Sequence, residues 1–586
     1  MGFRLGYDAA VARKQPQPPP PSRWPIRIAA GGFFLAEVAV LAGAASPFRL
    51  PKEAVALTAL CGAVALAVLL AAQRRTIVLP GGRLALVLMA LPVLQLVSAL
   101  WSASPLRSVD SALLTLIWVA GILWLATLGA SGRHRLFVAA AVGAACSVLV
   151  MLLQLAGVAV FDFAAPFTNA RLSLTGLTGN PADLAMASVL LVPFLLTWGE
   201  ASSRRWFFRA LAILFALATL ISQTLTGIAA LGLVMLVWLV QRRSRRLWTT
   251  VAALGALVIA IGLAAGLGDR LQREASRVRT GNWYRLFSAR GDGWTAAQQM
   301  IYDHGALGVG AAAYTHQYYP SRLAWLTKNG STGGRDEVAS HFQWAHCDPL
   351  QIIAELGIPG VLWMVLFGWA VIAAGPRAGP ILPLTAAAAA PFLLLHYPTH
   401  VAVGLIPIGL CLAHTIASDQ LPQSIDWHRA RVPVVIAAVV LAAAGAFWQL
   451  RRVAVDVWMG GLELRLSMVQ NQDPETRARM GTAVESQILP RLGRLGVDGP
   501  ALWRTLGRAR LLRRDAASAE SAFRTSFAGW PHEDAEFYLG LSLNAQGRRN
   551  EAVAHLSRVC RTNPRLVDLI ADDSLQRTLR EILDTY

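Results

Sequence analysis

Apolar and polar positions alternate in long blocks along most of this chain. Thirteen stretches, each close to the ~20 residues that a helix needs to cross a bilayer, run over 27–46, 54–72, 84–101, 111–129, 136–160, 181–198, 206–223, 227–240, 247–267, 349–372, 380–396, 399–416 and 432–450. From 451 onward the pattern changes to apolar and charged residues at helical spacing. This predicts an all-α protein: a polytopic transmembrane helical bundle of 12–13 spans and a helical C-terminal domain. The expected divisions are 1–26, a Pro-rich N-terminus around Gln17–Pro21; 27–450, the membrane domain; and 451–586, the tail. One connection, 268–348, is far longer than the others; long loops in compact proteins are usually functional or disordered, and its richness in aromatics and charge argues against disorder.

Composition agrees. Of 586 residues 55% are hydrophobic and 15% charged, with a mean hydropathy of +0.48. The formal charge of +19 raises nucleic-acid binding as an alternative. The placement of the charge removes it. Twenty basic residues fall in the N-terminus and alternate short connections, including Arg74, Arg75, Arg83, Arg204, Arg205 and the run at Arg242–Arg246. The opposite short connections hold Arg49, Lys52, Arg107 and Arg171. By the positive-inside rule the N-terminus is cytoplasmic. Thirteen crossings then put the long loop and the tail outside. The tail has 20 Arg against 17 acids, so no basic stripe remains for nucleic acid. No cleavable signal pattern is read at the N-terminus. The five cysteines show neither metal spacing nor obvious pairing.

The tail holds two units at a 33-residue offset. Leu506-Gly507 recurs as Leu539-Gly540, Ala519 as Ala552 and Pro531 as Pro564. Small residues at fixed points let paired helices approach closely, and a proline ends each unit. The pattern resembles tetratricopeptide repeats. Helices at 454–470 and 474–495 are expected to extend the stack, with 566–584 as a cap. The functional reading is a docking surface for a protein partner; the alternative is a domain that braces the membrane part.

Candidate chemistry clusters at the outer ends of spans. In the long loop a helix is expected near 292–303, a Gly-rich turn at 305–310, an aromatic stretch at 314–319 and a polar turn near 329–334. At its end, Asp348 suits an N-cap and Pro349 the first helical position. His346 therefore sits at the mouth of the tenth span. Asn180 and Pro181 open the sixth span in the same way. Both helices direct N–H-rich ends outward, where an anion is favoured. Arg171 and Arg290 are the natural partners for phosphate oxygens. His346, with an ordinary pKa near ~6.5, is the candidate acid or base. A membrane-edge site of two arginines and a histidine suits a pyrophosphate leaving group and a hydroxyl nucleophile. Against this, Arg171 could simply meet headgroups, Arg290 could pair with Asp292 or Asp303, and His304, His316 and His341 read as structural. His396 and His400 flank an outer turn and are weaker candidates for the lining. Glu355, an acid inside a span, is either functional or a helix contact; Glu37 reads as structural. No trio of acids or histidines forms a convincing metal site.

Four stretches together resemble the bacterial O-antigen ligase and polymerase superfamily of polytopic glycosyltransferases, over roughly 84–416. They are Ser98-Ala99-Leu100-Trp101-Ser102 with Pro105; Arg171 followed by Gly179-Asn180-Pro181; Arg290 with Trp294, then Gly308-Val309-Gly310; and His346-Cys347-Asp348-Pro349-Leu350-Gln351 with Glu355-Leu356-Gly357. The resemblance implies a GT-C-like membrane fold with a large periplasmic loop in the bacterial inner membrane. It implies transfer of a glycan from undecaprenyl pyrophosphate to a hydroxyl of lipid A-core or a growing polysaccharide, without metal or other cofactor. The alternatives are protein O-oligosaccharyl transfer to pilin-like or secreted proteins, a non-catalytic envelope scaffold, and a transporter. By motif, Arg171, Arg290 and Asn180 would bind pyrophosphate, His346 would orient or deprotonate the acceptor, and Asp348, Glu355 and Trp294 would support. Two departures stand out: Cys347 replaces a common Asn, and Thr224–Gly227 lacks a Ser-Arg pair often found there.

Overall fold

Twelve of the thirteen apolar stretches fold as helices in a computed structural model of the chain. The structure describes residues 23–73, 76–161, 173–199, 202–243, 268–281, 290–330, 342–419, 423–427, 429–469, 472–497 and 499–584, with scattered residues between 244 and 267. The Pro-rich N-terminus and the ninth expected span lie outside them.

In order, the membrane part comprises α1 (Trp24–Val38), α2 (Leu50–Ala71), β1 (Thr76–Leu79), α3 (Arg83–Ser98), α4 (Pro105–Thr127), α5 (Ala130–Leu155), α6 (Pro181–Thr197), α7 (Arg205–Ile221) and α8 (Leu225–Arg242). The long loop supplies α9 (Gly268–Arg279), α10 (Arg290–His304) and α11 (Tyr314–Asn329). There follow α12 (Asp348–Ala378), α13 (Ile381–Leu395), α14 (Ala402–Asp419), β2 (Gln423–Asp426) and α15 (Arg431–Val469). The tail adds α16 (Pro474–Ala483), a π-turn at Val484–Ile488, α17 (Leu489–Arg494), α18 (Gly499–Leu512), α19 (Ala516–Gly529), α20 (Glu533–Ala545), α21 (Arg549–Thr562) and α22 (Asp573–Asp584). This is a multi-pass helical membrane protein. Among the described residues seven helices are long and apolar enough to cross a bilayer: α2, α4, α5, α8, α12, α14 and α15. Helices α3, α6 and α13 are apolar but shorter.

Burial separates core helices from lipid-facing ones. α6 is covered almost all round, from Pro181 to Leu195. It packs against α7, α13 and α14 and forms the axis of the bundle. α15 is the opposite case: Val432, Ile436, Val440 and Phe447 are exposed, as an apolar face toward acyl chains would be. At 39 residues it is about 58 Å long at 1.5 Å per residue, about twice the hydrocarbon thickness. The helix therefore runs through the expected boundary at 451 without a break and carries the tail on its far end. β1 and β2 form a small antiparallel ribbon, Thr76 opposite Asp426. It joins two connections that the charge pattern puts on one side.

The tenth span is not one continuous helix. Gly357 sits at φ 59, ψ −143 inside α12 and divides it into a short outer piece and a main piece that begins near Pro359. The carbonyls and the N–H freed at the break are taken by the Gly-rich turn of the long loop. Val309 N–H donates to Ala354 O at 3.0 Å, Gly310 N–H to Glu355 O at 2.9 Å, and Ile358 N–H to Gly305 O at 3.2 Å. Gly308 and Gly310 both have positive φ, and a Cβ on Gly308 would lie 2.3 Å from Glu355 O. Glycine is required for a backbone approach this close. The aromatic stretch 314–319 is the first half of α11, and α10 matches its expected range closely.

In the tail, the aligned glycines do the same job twice. A Cβ on Gly507 would meet Phe523, and one on Gly540 would meet Leu556, 33 residues on in each case. The pairs α18–α19 and α20–α21 pack on each other, and α22 covers α21. The expected helix at 454–470 is the end of α15, and 474–495 is interrupted by the π-turn. The tail is not free. Tyr319 of α11 is buried within the tail's own core beside Phe523, Phe537 and Leu556, with Leu323 packed against it. His316 stacks on Trp530 at 4.3 Å, and Arg107 at the start of α4 lies over the same ring at 4.8 Å. A surface expected to await a partner is thus occupied in part by the chain's own loop.

Candidate functional site

Three of the four sequence motifs meet, but as a backbone clasp rather than as reacting groups. Ser98 Oγ accepts from Ala311 N–H at 3.0 Å, Ser108 Oγ donates to Ala311 O at 2.7 Å, and a Cβ on Gly310 would strike Ser102. Glu355 Oε2 accepts from Ala312 N–H at 2.8 Å, and its Oε1 from Gln351 at 3.0 Å. Glu355 is therefore a buried tie between the Gly turn and α12. Gln351 in turn accepts from Ala345 N–H at 3.1 Å, next to His346. The clasp fixes the backbone from which His346 projects.

His346 itself has φ +55, a left-handed conformation costly for a residue with a Cβ. It turns the imidazole into a ring cluster. Tyr397 lies edge-on at 4.7 Å, Phe342 edge-on at 5.1 Å, and His396 is parallel at 6.1 Å. His346 Nδ1 is buried with no hydrogen-bond partner among the described residues. Burial, followed by the charges of Arg290, His396 and Arg49, pushes the imidazole down to about 3, with Asp183 opposing. The ring is therefore neutral at physiological pH, with a lone pair available to take a proton.

Arg290 opens α10 and stands close enough for its charge to act on His346, His396 and Tyr397. The turn that holds it is pinned from α11: Arg322 pairs with Asp292 and donates to Thr295 at 2.7 Å, and Tyr314 Oη donates to Gly293 O at 2.8 Å. Asp303 accepts from Gln299 at 3.0 Å. Trp294 is half-buried one turn along α10. Asn180 does cap α6, its side chain accepting from Ala182 N–H at 2.9 Å, with Pro181 in the first turn. Arg171 lies outside the described residues.

Asp348 departs from its expected role. It makes no side-chain cap; the helix starts at Asp348, with Cys347 in the extended cap position. Its Oδ2 instead accepts from Thr399 N–H at 3.1 Å and Thr399 Oγ1 at 2.7 Å. The carboxylate is drawn away from α12 because the turn after α13 offers it two donors at once. That turn carries His396, Tyr397 and His400 to the site. His400 stacks with Trp344 at 5.7 Å and faces Asp348 at 3.7 Å.

A buried charged group that sequence reasoning missed lies beside His346. Asp183, one turn into α6 and 2% exposed, accepts from Arg49 Nε at 3.2 Å and Nη2 at 3.1 Å. Its other oxygen faces His396 Nε2 at 3.2 Å. Arg49 also donates to Tyr397 Oη and lies over the rings of Tyr397 and Trp344 at 4.7 and 5.5 Å. In the charge pattern of the sequence Arg49 is only a topology marker. An acid one turn inside an apolar span was the available signal, since such groups are expensive there and need a partner. The arrangement can neutralise an anion at Arg290 and Arg49 and accept a proton at His346.

Residues 210–365 match the model of a family described as O-Antigen ligase. The match begins in α7 and ends inside α12, so it contains Arg290, His346, Asp348 and Glu355 but neither Arg49 nor Asp183. No curated protein matches the chain.

Proposed function

We propose that this chain is a membrane glycosyltransferase that moves a glycan from undecaprenyl pyrophosphate to an acceptor hydroxyl on lipid A-core or a growing polysaccharide. The family match supports ligase- or polymerase-type transfer from a lipid-linked glycan in a membrane. The observation that carries the reading further is the neutral, half-buried His346, whose buried Nδ1 is unpartnered among the described residues, beside Arg290 and inside the matched segment. The acceptor oxygen attacks the anomeric carbon while His346 takes its proton. The bond from that carbon to the pyrophosphate oxygen breaks, and the electron pair leaves with the pyrophosphate. Arg290, with Arg171 as a second cation, receives the charge, a form of electrostatic stabilisation that acts where charge develops. Arrival of the anion also offsets the cationic field on His346 and raises its proton affinity when it must act as base. Asn180 contributes by opening α6 toward the anion. No metal takes part in this scheme.

The same reading puts the N-terminus in the cytoplasm, and the long loop and tail in the periplasm, at the inner membrane. The tail, 451–586, is read as a tetratricopeptide-like domain with a brace toward α11 and remaining surface for a protein partner. The test is a lipid, polymer and protein glycan profile of a deletion strain carrying the wild type, His346→Ala or Arg290→Ala. Loss of transfer in both variants at normal expression supports the roles; normal transfer in either removes that role. Glycan missing from a pilin-like or secreted protein, with lipid and polymer intact, assigns the activity to protein O-oligosaccharyl transfer instead.

A further inference from the structure

Arg49 is held on three sides and open on the fourth. Nε and Nη2 are bound by Asp183 Oδ2, Nη2 also donates to Tyr397, and the aromatic faces of Tyr397 and Trp344 flank the guanidinium. Its Nη1 has no protein partner among the described residues, and the side chain remains 31% exposed. Arg49 lines a small cleft between the start of α2, the start of α6 and the turn before α14. Lys52, one turn along α2, lines the same cleft and is anchored through Nζ to Glu37 O at 2.5 Å; the two carboxylates of the lining are already engaged, Asp183 by Arg49 and Glu53 by Arg452 at 2.8 Å. Phe48, Val401 and Val403 make its apolar wall.

Each feature points to one ligand chemistry. A guanidinium fixed by a carboxylate at one edge offers its remaining N–H groups in a set direction, the geometry that suits phosphate oxygens. Lys52, buried one turn away and bound to Glu37 O, adds positive field behind the same cleft. The apolar wall suits a hydrocarbon joined to that anion. The charge of Arg49 also reaches His346, so an anion there is within the field of the candidate base.

We propose that Arg49 is a further phosphate-binding residue, whose free Nη1 edge bonds an oxygen of a lipid-linked pyrophosphate, while Asp183 and Tyr397 act as positioning residues. This rests on the glycosyltransferase reading above. It differs in its residues, which lie outside the family match.

The test uses the full chain in detergent micelles and inorganic pyrophosphate as probe, with calorimetric titration and donor kinetics. Three variants are compared: Arg49→Lys, which keeps the charge but loses the fork; Arg49→Gln with Asp183→Asn, which removes both members of the pair so that no buried carboxylate is stranded; and Arg290→Ala. Loss of one charge-assisted hydrogen bond predicts roughly 10-fold weaker pyrophosphate binding in Arg49→Lys, and more in the double variant. The Michaelis constant for the lipid donor is expected to rise by a similar factor, with kcat changed far less. Displacement of pyrophosphate by a polyprenyl diphosphate but not by phosphatidylglycerol vesicles assigns the cleft to the donor. Equal displacement by phosphatidylglycerol makes it a bilayer headgroup site and overturns the proposal. Wild-type affinity and donor kinetics in both Arg49 variants, with Arg290→Ala impaired, overturn it while leaving the glycosyltransferase reading in place. A fall in kcat at unchanged Michaelis constant also overturns it, since Arg49 would then serve structure. If the wild type neither binds pyrophosphate nor turns over a lipid-linked donor, both readings fall.

Discussion

At the scale of single residues, the proposed chemistry rests on His346 and Arg290. An imidazole pushed down to about 3 stays neutral across the working range. The free enzyme's kcat/KM is therefore expected to be flat down to about pH 5, without the inflection near ~6.5 that an ordinary histidine shows. Arg290→Gln removes a cation that holds the proton affinity of His346 down. The inflection should then move upward toward the ordinary value, visible in single-turnover rates against pH. An unshifted profile would sever the electrostatic link between the two. His346→Ala should lower transfer by roughly 10²- to 10⁴-fold, the usual contribution of a general base. Both residues were legible in the sequence because each carries a chemistry-bearing side chain beside a helix start. The role of Asp348 was not, because a cap and a tertiary acceptor look alike until Thr399 is in place.

At the scale of elements, the break in α12 and the Gly-rich turn that fills it hold the site's backbone. Gly308→Ala places a Cβ against Glu355 O and forces a left-handed φ on a residue with a side chain. The conformational part alone costs about 1–3 kcal/mol. We expect a lower unfolding temperature in detergent together with reduced transfer, because the strain falls on the strand of backbone that supports Ala345 and His346. A stable and fully active Gly308→Ala would show that the clasp is incidental. In the tail, α20 is capped by a histidine: His532 Nδ1 accepts from Asp534 N–H at 3.1 Å. Burial, then the charges of Arg504, His316 and Arg107, pushes His532 down to about 3, below its ordinary value near ~6.5. The unfolded segment therefore binds the proton more readily than the folded one. The stabilisation is complete above about pH 6.5 and is lost progressively as the pH falls toward 3. Protection against hydrogen exchange over 530–545, taken relative to the intrinsic rate at each pH, should fall between pH 7 and pH 5 in the wild type, and not in His532→Asn, which keeps an acceptor that does not titrate.

At the scale of the whole molecule, the tail and the long loop share one core. Glu536, buried in α20, accepts from Tyr319 Oη, from His555 at 3.0 Å and from Arg558 Nε at 2.7 Å. From Tyr319 the connection runs along α11 to Arg322, and through Asp292 to the turn that holds Arg290. Glu536→Ala leaves the buried Tyr319 hydroxyl without its acceptor, a change that typically costs about 1–3 kcal/mol, while Arg558, partly exposed, turns to water. We expect faster proteolysis of the long loop and a loss of transfer in the same variant. Removal of 451–586 should do more, since it cuts α15 and uncovers Tyr319 and Leu323. Normal transfer by the truncated chain would reduce the tail to an accessory.

The sequence by itself determined the membrane class, the positions of most helices and the segments where chemistry concentrates. These follow from local quantities: hydropathy over about 20 residues, the placement of Arg and Lys, and caps read within a few positions. It also registered the glycines, whose 33-residue spacing in the tail and clustering at 305–310 reflect close approach that only Gly permits. What the tertiary structure decided is who faces whom. Arg49, Asp183 and Tyr397 are 134 and 348 positions apart from Arg49 onward, yet form one buried group, because α2, α6 and the turn after α13 end at the same level of the bundle. The tail's expected open surface is partly filled by α11 for the same reason: an apolar face is covered by whatever the fold brings to it, and no local pattern names that neighbour in advance.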